Sequence, residues 1–254
     1  EMSGESRVLL AHSPTRGLDV RACAAVHDYL REASKKDVAI LLISEDLDEV
    51  ITEIHKSHSP EKLFVAGYSL GANVLLKWLG ENEEKARIDA GCAVSTPFNL
   101  SICADSIDQG FSKIYKFYLL NSMKKRIVNK FTPERLLELL NMSPRDVMAI
   151  NSFREFDNRV TSFLNEFEDA EDYYRTASSI YYLGSIKKPA LVIHAADDPF
   201  MSPEIIPKED QLPDSLELLI SEHGGHVGFV SAPTSKGVSF YLEQTILNYF
   251  DRFL

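Results

Sequence analysis

Apolar and polar positions repeat along the chain with two periods, and the switches between them locate the elements. Arg7–Ala11 (RVLLA) reads as a strand. Val38–Ile43 (VAILLI) is a continuous apolar run, as expected of a strand buried on both sides. Further strands are expected at Leu63–Tyr68, Ile88–Ser95, Ala190–Ala195 and Ser215–Ile220. The stretches between them repeat at helical spacing. Asp19–Ser34 gathers Ala22, Ala25, Val26, Tyr29 and Leu30 on one face. Asp46–Lys56 opens with acidic residues, which suit the positive end of a helix. Leu70–Leu79 and Lys236–Phe253 are the remaining helices of this pattern. Strands alternating with helices specify an α/β protein, a mainly parallel sheet with helices on both faces.

The alternation breaks between Thr96 and Tyr182. This stretch is helical in pattern and rich in aromatics, Phe98, Phe111, Tyr115, Phe117, Tyr118 and Phe163 among them. It falls between two strands of the sheet. An insertion there is expected over the C-terminal strand edge, where open α/β sheets bind ligands. The organisation expected is a core begun by residues 1–95, a helical lid over 96–182, and a core completed by 183–254. The alternative for 96–182 is added core packing.

Composition narrows the picture. A chain of 254 residues with 44% apolar residues suits one large α/β domain. No apolar run approaches the ~18 residues a membrane helix needs. The net charge of −11 repels phosphate backbones and anionic lipid, so a nucleic-acid partner is not expected and a small-molecule substrate is. Cys23, Cys92 and Cys103 are odd in number and form no CxxC pair, so buried free thiols in a reducing compartment are expected rather than disulfide or metal roles. Glu1-Met2-Ser3-Gly4 shows no signal-peptide pattern, and a cytoplasmic location is the expectation.

The strongest local signal is Gly67-Tyr68-Ser69-Leu70-Gly71, after the apolar Leu63–Ala66 and before the helical Ala72–Leu76. GxSxG between strand and helix is the setting of a nucleophilic serine in an α/β-hydrolase fold: the sharp turn lifts the hydroxyl clear of the sheet. Gly67 and Gly71 are expected to leave room for neighbouring backbone. The N–H of Leu70, at the helix start, is expected to face a developing oxyanion. A serine needs a base, and the base an orienting acid, in the chain order Ser, Asp or Glu, His. Of the histidines only His194, His223 and His226 follow Ser69. His226, in His223-Gly224-Gly225-His226 after the last strand, is favoured over His223. The acid belongs after the penultimate strand, in Ala196-Asp197-Asp198-Pro199. With Ala195 as the small residue at the strand end and the acid three later, Asp198 is favoured over Asp197, which is left as a loop cap or surface charge.

Several stretches carry a family likeness: GYSLGANVLLKWLGE, Ser95-Thr96-Pro97-Phe98, REFD at Arg154–Asp157, DYYR at Asp172–Arg175, HAADDPFM and EHGGHVGF. They resemble the bacterial YheT-like esterases, grouped with plant embryogenesis-associated hydrolases and animal phospholipase-type abhydrolases, from about residue 45 to 254. The resemblance implies a triad of Ser69, Asp198 and His226, and hydrolysis of carboxylic esters or lipid acyl chains without cofactor or metal. Residues 1–50 depart from that family, in which the first strand ends in an HG-type loop that supplies the second oxyanion donor. Here His12-Ser13-Pro14 stands in its place, and proline has no N–H to donate. PTRGLDV and LLISEDLDEV in this stretch instead resemble part of a sugar- or nucleoside-type ABC-transporter ATPase. No GxxxxGK[ST] cradle accompanies them, so nucleotide hydrolysis is not implied. The readings that follow are a serine ester hydrolase with Leu70, His12 and Ser13 around the oxyanion, an acyltransferase using the same serine, and a non-catalytic or weakly active hydrolase-fold protein with an incomplete oxyanion hole.

Overall fold

The computed structural model describes residues 8–12, 39–43, 47–110, 112–208, 211–229 and 241–254. The chain divides into two units, Glu1–Glu61 and Lys62–Leu254. In the first, β1 (Val8–His12) pairs in parallel with β2 (Ala39–Ile43), in register from Val8 opposite Ala39 to His12 opposite Ile43. These are the two strands expected at the start of the chain. The helix expected at Asp19–Ser34, and Cys23 with it, lie outside the described residues. Helix α1 (Leu47–His58) carries Asp48 and Glu49 in its first turn and His55, Lys56 and His58 in its last, each sign at the helix end that favours it.

The second unit opens with β3 (Phe64–Tyr68), α2 (Leu70–Asn82) and β4 (Ala90–Val94). An insertion of short helices follows: α3 (Leu100–Ser106), α4 (Ser112–Lys130), α5 (Pro133–Leu140), α6 (Pro144–Ala149), α7 (Phe153–Phe156), α8 (Ser162–Leu164) and α9 (Ala170–Ala177). The chain then returns to the sheet as β5 (Ala190–Ala195) and β6 (Leu216–Ser221), and α10 (Tyr241–Phe250) follows. Residues 236–240 of the last expected helix lie outside the described residues. β3, β4, β5 and β6 lie side by side in chain order, and every pairing is parallel.

Burial separates the inner strands of this four-stranded sheet from its outer ones. Every residue of β4 and β5 is buried, as expected of nearly continuous apolar strands, and the exception in type, His194, is buried with them. β3 and β6 each keep one buried residue, Gly67 and Leu216, and the rest of each strand is part-buried or exposed. Ala90, Cys92 and Val94 of β4 share a core with Leu191 and Ile193 of β5 and with Leu242, Ile246 and Tyr249 of α10. Cys92 and Cys103 are free thiols, and burial pushes both up to about 12.

The insertion has its own apolar centre, made of Leu120, Leu136, Leu140, Met142, Val147, Ile150, Phe156 and Val160. Its helices start where the sequence supplies side-chain caps. Thr132 accepts from the Arg135 N–H ahead of Pro133, and Ser143 and Asp146 form a reciprocal capping box. The two ends of the insertion are stitched together, with the Leu100 N–H on the Ser178 hydroxyl at 2.9 Å and the Ile180 N–H on the Phe98 carbonyl at 3.0 Å. Asn73 of α2, 2% exposed, joins this seam to the helix after Ser69. Its Nδ2 donates to the Ala177 carbonyl and its Oδ1 accepts from the Ser179 N–H, both at 2.8 Å. Nearby, a side chain at Gly80 would lie 2.4 Å from the Tyr182 carbonyl oxygen, so only glycine lets α2 approach this segment so closely.

Replacing Asn73 with alanine strands the buried Ser179 N–H and the part-buried Ala177 carbonyl. Each costs about 1–3 kcal/mol. Asn73→Ala is therefore expected to lower the urea midpoint by an amount equivalent to at least about 2 kcal/mol, whereas Asn82→Ala, which removes a bond within one helix, costs under half of that.

Candidate active site

Ser69 stands between β3 and α2 with φ 51° and ψ −122°, a backbone conformation that side-chain-bearing residues avoid. Such a residue costs of order 1–3 kcal/mol and persists only where its surroundings hold it. Here its N–H donates to the Val94 carbonyl at 2.9 Å, and its carbonyl accepts from Ala72 and Asn73 at 2.9 and 3.2 Å. Gly67 is obligatory at this turn: a Cβ there would lie 2.5 Å from the Gly71 carbonyl oxygen. The expectation for Gly71 is corrected, because a Cβ on Gly71 would meet nothing within 4 Å. Gly71 contributes its backbone to the contact, and the missing side chain that matters is that of Gly67.

The imidazole of His226 lies between Ser69 and Asp198. Its Nε2 is 2.7 Å from the Ser69 Oγ, and its Nδ1 is 2.8 Å from the Asp198 Oδ2. The Asp198 side chain is 1% exposed and that of His226 17%. The other oxygen of Asp198 accepts from the Phe200 N–H at 2.9 Å, so both carboxylate oxygens have partners. The structure thus brings Ser69, Asp198 and His226 into one hydrogen-bonded line.

Asp197, one residue earlier, has a different place. Its Oδ1 accepts from the N–H groups of Gly224 and Gly225 at 2.9 and 2.8 Å, and its Oδ2 lies 3.3 Å from His223 Nδ1. These backbone bonds, led by that of Gly225, hold its carboxyl below the usual range. Asp197 therefore ties down the loop that carries His226. Both glycines of that loop are required. A Cβ on Gly224 would press within 2.7 Å of the Phe229 ring, and Gly225 has φ 58°. His223 is exposed, and its carbonyl accepts from the Ser221 hydroxyl at 2.6 Å.

Two further residues reach this line of groups without a signal in the motif. Ser95 follows β4 as Ser69 follows β3. Tyr68 and Val94 are paired, and Ser69 and Ser95 leave the sheet with φ of 51° and 52°. The buried Ser95 hydroxyl donates to the carbonyl of His226 itself. Phe200 lays its ring against the His226 imidazole, with centroids 4.5 Å apart. A small polar residue directly after a buried strand was the available clue to Ser95. Phe200 could not be picked out from the other phenylalanines.

His194, in β5, lies beneath this site rather than in it. It is 1% exposed, its ring faces Phe98 at 6.3 Å, and its Nδ1 meets the Ala195 carbonyl at 3.0 Å. Burial holds it below the ordinary imidazole range, with the bond to Ala195 and the Asp198 charge pulling the other way. Leu70 is 52% exposed at the first position of α2, where helical N–H groups lack intrahelical acceptors. His12 ends β1 in the first unit, and Ser13 and Pro14 lie outside the described residues. Among the described residues no group of three or more His, Cys, Asp or Glu could hold a metal ion, and no helix is long and apolar enough to cross a membrane.

A family described as alpha/beta hydrolase fold matches residues 11–233. Among curated proteins, the Putative esterase YheT of Escherichia coli (strain K12) is 37% identical over 78% of this chain and 56% of its own. Phospholipase ABHD3 of Homo sapiens is 30% identical over 74% of this chain and 45% of its own. Embryogenesis-associated protein EMB8 of Picea glauca is 28% identical over 82% of this chain and 46% of its own. The chain thus spans about half the length of the curated relatives it matches. The family match runs through residues 11–50, and the likeness of that stretch to a transporter ATPase finds no support.

His194 gives the site a pH dependence of known sign. A histidine depressed by burial is neutral in the folded state while the unfolded chain protonates it below about pH 6.5. The unfolded state then binds more protons, so stability falls with acid below that pH, by up to about 1.4 kcal/mol per unit, until the folded form protonates too. Urea midpoints measured from pH 7.5 to 5.5 should decline in the wild type and decline less steeply in His194→Gln. An unchanged slope in the variant would remove His194 as the cause.

Proposed function

The chain belongs to the alpha/beta hydrolase fold family, and on that premise we propose that it is a serine hydrolase cleaving carboxylic esters through Ser69, His226 and Asp198. The observation that carries this reading is the imidazole of His226, within 2.7 Å of a serine hydroxyl on one side and 2.8 Å of a buried carboxylate on the other. Ser69 attacks the ester carbonyl carbon while His226 Nε2 takes its proton, and a tetrahedral oxyanion forms. The Leu70 N–H stabilises that oxygen. His226 then returns the proton to the alkoxide leaving group, and the acyl-Ser69 ester remains. Water, deprotonated by the same nitrogen, attacks the acyl carbon, releases the carboxylic acid and restores Ser69. Asp198 keeps the proton on His226 Nδ1 and stabilises the imidazolium that forms twice in each cycle. Nucleophile, base and orienting acid all come from the chain itself.

We assign the insertion 96–182 as a lid over this site. The Ser112 hydroxyl at the start of α4 donates to the Pro199 carbonyl, and Tyr115 packs on Phe200 at 4.6 Å. The insertion therefore touches the loop that holds Asp198. Phe200 against the His226 imidazole and Tyr115 against Phe200 suit an apolar acyl group, such as a medium-chain or lipid acyl ester, and relatives named esterase and phospholipase support an ester or lipid substrate.

Fluorophosphonate should label the wild-type chain at Ser69 and leave Ser69→Ala unlabelled with its far-ultraviolet circular dichroism intact. Turnover should fall by up to about 10⁶ in that variant. A variant that keeps more than a tenth of the activity would sink the assignment. Asp198→Asn should lose about 10⁴, and Asp197→Asn far less, because an asparagine Oδ1 still accepts from Gly224 and Gly225.

If the insertion supplies an acyl pocket, the Michaelis constant should drop along a series of esters from acetate to octanoate. Each buried CH₂ contributes roughly 0.8 kcal/mol, nearly fourfold in affinity. A flat series would show that the insertion is packing alone.

A further inference from the structure

The net charge of −11 conceals one strongly basic element. Over Ser112–Lys130, α4 carries Lys113, Lys116, Lys124, Lys125, Arg126 and Lys130 and no acidic residue. Two of these cations are used inward. Lys116 pairs with Asp108 at 2.7 Å, and the buried Lys124 donates to the carbonyls of Met148 and Ile150 at 3.2 and 2.8 Å. Lys113, Lys125, Arg126 and Lys130 are exposed.

The same helix exposes its largest apolar side chains. Ile114, Phe117, Tyr118 and Leu119 face water, Phe117 at 63% and Tyr118 at 69%, and Tyr115 is part-exposed beside Phe200. The Phe117 and Tyr118 rings meet edge to face at 5.8 Å. This face is not one that the fold failed to bury. The opposite side of α4 is already seated, with Leu120, Met123, Ile127 and Val128 in the insertion's core. Apart from Lys113, the outward-facing residues are apolar in the first turns and mostly cationic in the last.

We propose that α4 docks on the surface of an anionic lipid bilayer, with Ile114, Phe117 and Tyr118, which share one arc of the helix, dipping among acyl chains and Lys125, Arg126 and Lys130 meeting headgroup phosphates. Exposed aromatic and aliphatic side chains together with exposed cations on one helix make the composition that lies in a membrane interface. The charge selects the occupant. A symmetric contact with a second copy through this helix offers its cations no opposite charge, because α4 carries no acidic residue. A bilayer bearing anionic headgroups offers the opposite sign together with an apolar interior. The contact of Tyr115 with Phe200 places the apolar end of α4 next to the Asp198 loop, so a docked membrane lies beside the site. That consequence rests on the hydrolase reading, whereas the docking itself does not.

The test is co-sedimentation of the full chain, as the Ser69→Ala form, with vesicles of phosphatidylcholine alone and of phosphatidylcholine mixed with phosphatidylglycerol. Tighter binding to the anionic vesicles is expected, and added salt should weaken it. With about fivefold per cation near such a surface, Lys125→Glu/Arg126→Glu should weaken it by about 25-fold or more. Phe117→Ser/Tyr118→Ser should lower binding to both vesicle types. All four positions are exposed, so both variants should melt like the parent. Equal affinity for the two vesicle types would overturn the proposal, as would indifference to Lys125→Glu/Arg126→Glu. A dimer in solution that Phe117→Ser/Tyr118→Ser dissociates would overturn it too, by showing that copies of the chain cover this face. Hydrolysis of a water-soluble short-chain ester by otherwise wild-type Lys125→Glu/Arg126→Glu should be unchanged. Vesicle binding by a wild-type chain that hydrolyses no ester would sink the hydrolase reading and leave the docking face standing.

Discussion

Parallel pairing of β3, β4, β5 and β6 brings four C-terminal strand ends to one edge of the sheet, and the candidate site exists because of that edge. Ser69 leaves β3, Ser95 leaves β4, Asp198 sits three residues beyond β5, and His226 lies in the loop after β6. No two of these residues are near neighbours in the chain. Register alone determines that the Ser69 N–H meets the Val94 carbonyl, the Ser95 N–H the Ile193 carbonyl and the Ala196 N–H the Ser221 carbonyl. A slip of one residue in any pairing would turn side chains to the other face and separate the hydroxyl, the imidazole and the carboxylate.

Around this edge, the expensive groups are held by groups that can hold them. A carboxylate taken out of water needs partners for its lone pairs. Asp198 has the His226 Nδ1 on one oxygen and the Phe200 N–H on the other. The His226 loop is fastened twice, by the Ser95 hydroxyl at its carbonyl and by Asp197 at the two glycine N–H groups before it. The adjacent aspartates thus divide the work, the buried one facing the imidazole and the exposed one facing the backbone that carries it. Two of the residues with positive φ, Ser69 and Ser95, stand at this edge, where the sheet's hydrogen bonds restrain the chain.

The insertion shows how a chain-wide average can mislead. A net charge of −11 argues against anionic surfaces, and for most of the sequence that argument is sound. Within α4 it reverses, because six cations are concentrated in one helix and four of them stay in water. The aromatic richness of 96–182 divides in a similar way. Phe98 and Phe156 are buried, Tyr115 packs on Phe200, and Phe117 and Tyr118 are left outside. Sequence periodicity alone did not sort these three destinations.

The described strands, the helices beside Ser69 and at Leu47–His58, the parallel α/β class and the turn at Gly67–Gly71 were legible in the sequence, because periodicity and turn chemistry are encoded by residues within a few positions of one another. β5 falls at Ala190–Ala195 as its apolar run dictates, and the other described strands lie within two residues of the ends expected for them. Spacing favoured Asp198 of two adjacent carboxylates and His226 of two loop histidines. Tertiary structure decided which carboxylate meets the imidazole, that Asp197 binds the loop instead, that Ser95 supports His226 from 131 positions away, and that Gly67 rather than Gly71 makes the room. Each of these depends on which strand ends stand side by side and on what burial removes from water. Both are properties of the assembled sheet, and no local stretch of sequence contains them.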